Sequence, residues 1–534
     1  MKVDRLALTI ACCLLVALLA LSAWVCDDAW ITFRTAQRFF EGDGLTWNPG
    51  ERVQAYTHPL WLFTLLPFTG LTGEFFFTSM VVSAACAVAA VLLLVRSVEV
   101  LWVRAALVML LASSRAFVDF SICGLENPLL ALLVVASLLV ALREPSARRD
   151  VLSSVLLAAV FLVRVDGVLL VGPLWAVGIL RRDVRWIPVA LALSPVVAWE
   201  LFSFLYYGSW VPNTAVAKLN LDVSRGVLIG SGLGYLGDSF TRDPISLLTV
   251  LIGTGLSFSM GTRVHRALAA GVLLSLVYVV NIGGDFMSGR FVMVPFVASV
   301  SLLGALVARG AWPPASPQRL FFVTAAYALL WTHSPLHSAS PRFGEGVRDQ
   351  VELTGVIDER AYYFPDVGLI PVARRLDAVK LVPPYRGACL GRELAQSDRP
   401  AQVMGEVGMF GVFAGRKTVI DLFALADPFL ARIPYRTEHF RAGHYPRPLP
   451  PGYVAARSGT GQLEDEGLRA AFADVELMTR APLFSSERWA AISRLRSGAH
   501  DAAFERASRF ERTKIEVPPT RCDDDESGAD QGAQ

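Results

Sequence analysis

Two adjacent carboxylates, Asp27 and Asp28, stand directly after the apolar run 6–25. Acids complement the N-terminal end of a helix and oppose the dipole at its C-terminal end. A new helix starting at Ala29 would use Asp28 as its N-cap, which accounts for one acid and not for both. Adjacent carboxylates in a partly desolvated cleft raise each other's pKa, which suits a general base or a ligand for a divalent cation. Two acids without a third clear ligand leave the metal open.

Further chemistry-bearing residues occupy short polar stretches. "GGDFMSGRF" carries Asp285 and Arg290, the second suited to fork a phosphate. "VRVDG" puts Arg164 and Asp166 between two apolar stretches, where an unpaired charge costs roughly 2.5–3.5 kcal/mol at mid-bilayer depth, so a partner elsewhere is expected. Glu126 and Asn127 in "GLENP" head a helix beginning at Pro128. In "VPNTAVAKLN", Asn213 offers an amide to hydroxyls and Lys218 an ammonium to phosphate, while His58 precedes a proline. Each residue alone has a plainer reading as a cap, an ion pair or an interfacial group. What they share is a side.

That side follows from the elements that must position them. The 534 residues are 54% hydrophobic and only 18% charged, against about 25% charged in soluble domains, so the chain is a polytopic membrane protein. A net charge of +2 and the lack of a long basic run argue against nucleic acid as a partner. The run 6–25 is long enough to span and no small-x-small cleavage site precedes Cys26, so it is read as a span and not as a signal peptide. Spans are predicted at 6–25, 74–95, 105–121, 127–142, 151–165, 167–180, 186–207, 244–262, 267–282, 290–308 and 319–333, about 11 in all. Basic clusters around Arg5, Arg96, Arg143, Arg181, Arg263 and Arg309 recur every second crossing. The positive-inside rule then puts the N-terminus in the cytoplasm and the C-terminus outside. Every stretch with candidate chemistry faces outward, in one expected cleft.

Residues 1–333 are thus expected to form a transmembrane catalytic domain with a structured first outer loop at 26–73. In that loop Trp30, Phe33, Ala36 and Phe40 share a helical face, which predicts an amphipathic helix lying at the membrane surface. The region 334–515 reads as an extracytoplasmic α/β domain, in which the "GEVGMFG" glycines turn the chain. Residues 516–534 read as a disordered acidic tail. Cys389 and Cys522 are able to pair if that domain lies outside the cytoplasm.

One mechanism uses acids and cations on a single face above a lipid-filled bundle. A sugar on a polyprenyl phosphate would place its tail between helices and its phosphate against Arg290, Lys218 or Arg164. Phosphate leaves as an anion, so cationic stabilisation replaces the acid catalyst a glycosidase needs. Asp28 or Asp27 would deprotonate or orient the acceptor hydroxyl, with Asp285, Glu126, Asn213, His58 and Asp166 available to sugar hydroxyls. A lipid-linked sugar transporter and a non-catalytic glycan-binding scaffold are the alternatives.

The stretches "FRTAQRFFEGDGLTWNPGERVQAYTHPLW", "GLENP", "RVDG", "YYGSWVPNTAVAK", "GGDFMSGRF" and "GEVGMFG…VIDLFALADP", in this order, resemble the GT-C membrane glycosyltransferases. The mycobacterial terminal arabinofuranosyltransferase branch is similar in particular. The resemblance implies a GT-C fold, a polyprenyl-phosphate sugar as donor and an envelope glycan or lipid as acceptor, at the outer face of the bacterial inner membrane. It also implies a catalytic acid in the first outer loop. His58-Pro59 stands where that branch carries small polar residues, which leaves the sugar open.

Overall fold

The computed structural model describes residues 2–181, 183–311, 316–345, 355–375, 385–437 and 440–511. The acidic tail 516–534 and Cys522 lie outside them. The chain is mostly helical and divides into two compact units. The first comprises Met1–Cys26, His58–Val197 and Arg225–Arg374; the second comprises Asp27–Thr57, Ala198–Ser224 and Arg375–Gln534.

Apolar helices dominate the first unit. Among the described residues five helices are long and apolar enough to cross a membrane: Val3–Leu21, Phe76–Arg96, Trp186–Tyr207, Arg263–Asn281 and Arg290–Ala308. Two bent pairs raise the number to seven, and Pro59–Thr72, Asn127–Ala141 and Gly167–Ile179 are shorter apolar helices. A helix apolar all round belongs either in a protein core or against lipid, and burial separates the two cases. Arg290–Ala308 is 83% buried and lies at the heart of the bundle, whereas Trp186–Tyr207 is 17% buried and presents its apolar faces outward. At Gly271 a Cβ would stand 1.9 Å from the Leu170 carbonyl oxygen, so only glycine lets these helices cross so closely.

The structure differs from the expected elements in three places. The first helix ends at Leu21, and a separate helix, Asp27–Phe40, begins with both acids in its first turn. The acids therefore lie where the dipole favours them. The expected span 105–121 bends by 76° at Ser114, whose extended backbone ends one helix and whose Oγ accepts the Phe117 N–H to start the next. A helix also forms at Arg225–Arg242 and turns by 108° into Pro244–Met260, because the residue before a proline is driven out of helical conformation.

In the second unit the helix Asp27–Phe40 is buried on nearly every side, with Arg34 and Arg38 fully enclosed, so it does not lie flat on a surface. Arg34 donates to the carbonyls of Trp47 (2.8 Å) and Lys417 (2.9 Å) and stacks on the Trp47 ring. Asn48 exchanges hydrogen bonds with the backbone of Val419 at 3.0 Å each way. These contacts tie the 27–57 segment to a parallel pair of strands, Ala401–Met404 and Thr418–Asp421. A core of Ile31, Trp47, Leu394, Phe410 and Val419 closes around them.

Candidate active site

In the first unit, five residues singled out in the sequence come together around a sixth, Glu126. His58 precedes the helix Pro59–Thr72, Glu126 precedes Asn127–Ala141, Arg164 and Asp166 join two further helices, and Asp285 and Arg290 come from the loop before Arg290–Ala308. Helix ends and the loops joining them thus supply every member. Glu126 is 1% exposed. Arg164 (3.2 Å) and Arg290 (3.6 Å) approach its Oε1, and His58 Nδ1 lies 3.4 Å from its Oε2. Burial pushes this carboxyl up, but His58, Arg290 and Arg164 outweigh burial and hold it down at about 2.

The two arginines are held differently. Arg164 forks Asp166 with bonds of 3.0 and 2.8 Å and lies over the Phe291 ring. Arg290 sits 3.6 Å from both Glu126 Oε1 and Asp285 Oδ2, at ion-pair and not hydrogen-bond distance. Asn127 donates to the Arg290 carbonyl (3.2 Å), fixing the start of that helix. Glu126 Oε2, Asp285 Oδ2 and Asn127 Oδ1 are buried without hydrogen-bond partners among the described residues. The cluster therefore presents acceptors to a ligand with hydroxyl donors.

In the second unit, Asp27 and Asp28 have different surroundings. Asp27 is buried and its carboxylate is occupied: Gly408 N–H donates to Oδ2 (2.9 Å) and Met409 N–H to Oδ1 (2.8 Å). A Cβ at Gly408 would stand 1.9 Å from the Asp27 carbonyl oxygen, so the "GEVGMFG" glycines permit close approach as well as turning. Burial, then the nearby Glu406 carboxylate, push Asp27 up to about 7. Glu406 in turn accepts from the Tyr385 hydroxyl. Asp28 is only half-buried.

The other two sequence candidates are in this unit too. The Asn213 amide donates to the carbonyls of Ala424 (2.9 Å), Leu425 (3.0 Å) and Asp427 (3.3 Å), which commits its donors to a tight loop. Ala424 in that loop has φ of 62°, a conformation non-glycine residues rarely adopt. Lys218 is exposed. Among the described residues no group of three or more His, Cys, Asp or Glu is placed to hold a metal ion.

Sequence reasoning missed a further polar network in the first unit, in which Arg115 pairs with Asp119 (2.9 Å) and Asp358 (2.8 Å), and Arg360 with Asp119 (2.7 Å). Arg115 and Asp119 one turn apart in an otherwise apolar run were the available signal.

No family profile matches the chain. It is similar to a terminal β-(1→2)-arabinofuranosyltransferase of Mycobacterium tuberculosis, 26% identical over 531 residues that cover 81% of this chain and 82% of that one. A protein of the same name from Corynebacterium glutamicum is 28% identical over 400 residues, 64% of this chain and 55% of the relative. The chain thus spans about half the length of this second relative. Among solved structures, ArnT from Cupriavidus metallidurans bound to undecaprenyl phosphate is similar at 14% identity and a TM-score of 0.46, over 78% of this chain and 85% of that one. The Archaeoglobus fulgidus oligosaccharyltransferase in its apo form is similar at 12% identity and a TM-score of 0.46, over 80% and 65%. A multi-pass helical chain with these named relatives is a membrane glycosyltransferase. Its likeness over most of its length is to the terminal arabinofuranosyltransferases, as the ordered motifs implied.

Proposed function

We propose that the protein transfers a sugar, arabinofuranose on the strength of its named relatives, from a polyprenyl-phosphate donor to a glycan or lipid of the cell envelope. The reaction takes place on the extracytoplasmic face of the inner membrane, with about 11 spans, the N-terminus inside and the region after 333 outside as an α/β domain. One observation carries the reading: six residues from four segments, each chosen for its chemistry, form one cluster centred on Glu126 in a chain related to named glycosyltransferases.

Asp28 is the base. It takes the proton of the acceptor hydroxyl as that oxygen attacks C1 of the donor sugar, and the C1–O bond to phosphate breaks with both electrons leaving on the phosphate. Asp27 is a positioning residue, because two backbone N–H groups hold its carboxylate in place. Arg290 stands between two carboxylates, so donating to a phosphate oxygen exchanges one anionic partner for another. Lys218 and Arg164 add positive charge for the donor, and Glu126, Asp285, Asp166 and His58 orient sugar hydroxyls.

The test is transfer by the full-length protein purified in detergent, with synthetic polyprenyl-phosphoarabinofuranose and an arabinofuranoside acceptor. Removing a general base costs about 10²–10⁴-fold in rate. Asp28→Asn should lose that much kcat with its melting temperature unchanged. Full activity in Asp28→Asn would remove the base assignment, and no product from the wild type would remove the enzyme reading.

A further inference from the structure

A second polar recess in the first unit plays no part in that scheme. It forms where two broken helices meet, at Ser114 and at Asp243. Its polar lining includes Arg115, Asp119, Ser239, Asp243, Ser288 and Asp358. Asp243 is 4% exposed. Its Oδ2 is fully used, accepting from the Ala116 N–H (2.9 Å), Ser246 Oγ (2.6 Å) and Ser114 Oγ (3.3 Å). Its Oδ1 is buried without a hydrogen-bond partner among the described residues, and Ser239, whose Oγ interacts with the Tyr235 hydroxyl, is on the same lining. A buried acceptor left without a donor costs about 1–3 kcal/mol, more if charged. Asp243 Oδ1 is therefore open to a group that brings an O–H, beyond the buried Tyr327 hydroxyl that shares its surroundings.

The chemistry of that group follows from the charges. Arg115 is committed to Asp119 and Asp358, and Arg242 to Asp238 (2.9 Å). The lining holds three acids against two arginines, so an anion would be repelled. A neutral ligand bearing hydroxyls meets both needs, as donor to Asp243 and as acceptor or donor to the serines. The free space of the recess, about 20 Å³, suits a group the size of a water or a hydroxyl rather than a lipid tail. Ser288 and Gly289 line this recess, while Asp285 and Arg290 of the same loop belong to the Glu126 cluster. Residues two apart in a chain lie at most about 7 Å apart. The two sites share one loop and are neighbours along it.

We propose that this recess is a second sugar subsite, binding a hydroxyl of the acceptor residue next to the one that reacts, so that the enzyme favours acceptors of two or more sugars. The proposal rests on the glycosyltransferase reading above. Full-length wild type, Ser239→Val and Asp243→Asn in detergent would be compared with methyl arabinofuranoside and methyl arabinofuranobioside as acceptors. Binding of both probes would be followed in parallel by saturation-transfer NMR.

The wild type should prefer the disaccharide. Ser239→Val, which fills the recess, should raise KM for the disaccharide about tenfold, the worth of roughly one hydrogen bond, with kcat and the monosaccharide KM unchanged. KM values that move together, or not at all, would overturn the proposal and leave a water-filled recess. Asp243→Asn should do the same if it folds; because Asp243 also starts two helices, Ser239→Val decides where it does not. A wild type that transfers to neither acceptor would refute the function, while loss of disaccharide binding by NMR in Ser239→Val would still support the subsite.

Discussion

Glu126 in the first unit and Asp27 in the second are both acids closed off from water, and their surroundings push them in opposite directions. Glu126 is surrounded by His58, Arg164 and Arg290 and is held down at about 2. Asp27 accepts two backbone N–H groups but faces another carboxylate, Glu406, and rises to about 7. Side-chain cations keep the first ionised at any working pH. Neutral peptide dipoles do not do this for the second against burial and a like charge. An acid that never changes charge is suited to fixing partners, and one near neutrality is suited to exchanging a proton or to stiffening a neighbour.

The largest effect that would break this contrast is expected at Glu126. Removing one partner from a buried ion pair typically costs about 3–5 kcal/mol, because the remaining charges stay buried. Glu126→Gln should lower the melting temperature markedly and reduce kcat/KM, since Arg164 and Arg290 lose the carboxylate between them. Asp28→Asn should lose activity alone. If Glu126→Gln melted like the wild type in a thermal scan, the cluster would not be a cohesive network.

What was legible in the sequence and what was not divides along a physical line. The apolar helices and their capping loops could be read because bilayer thickness fixes the length of a span and charges inside it must find partners, so "GLENP", "RVDG" and "GGDFMSGRF" fall on one face, without their partners being named. The place of Asp27 could not be read. Two backbone N–H groups about 380 residues away hold it, and backbone donors leave no residue-type signature. Asn213 resembled a sugar-binding amide for the same reason, since its partners are three main-chain carbonyls. Neither helix break is read from the sequence: the predicted span at 244 has no helix before it, although Asp243-Pro244 was the available signal, while Ser114, without proline or glycine, offered none.

A smaller effect sharpens the contrast through pH. The Asp27 carboxyl has an ordinary value of 3.8 and rises to about 7 in the fold, so the folded chain holds this proton more tightly than the unfolded chain. Between those values the unfolded state has released the proton and the folded state has not, so stability falls as pH rises and levels off above about 7. A shift of about 3 units corresponds to about 4 kcal/mol at most. Thermal scans from pH 4.5 to 7.5 in detergent should show this decline in the wild type and a shallower one in Asp27→Asn. Equal slopes in the two would assign the decline to other groups.

The smallest expected effect concerns Asn213. Its amide satisfies a loop that carries the strained Ala424, so Asn213→Ala leaves three carbonyls short of a donor at a cost of about 1–3 kcal/mol. A role confined to the loop predicts a modest fall in melting temperature with KM for donor and acceptor unchanged. Contact with a sugar hydroxyl predicts the reverse, a raised KM at constant stability. Asn213→Asp separates the two further: a carboxylate has no donor for the carbonyls and repels them, yet still accepts from a hydroxyl. The loop role therefore requires Asn213→Asp to melt lower than Asn213→Ala, and a variant that melts higher would return Asn213 to the sugar.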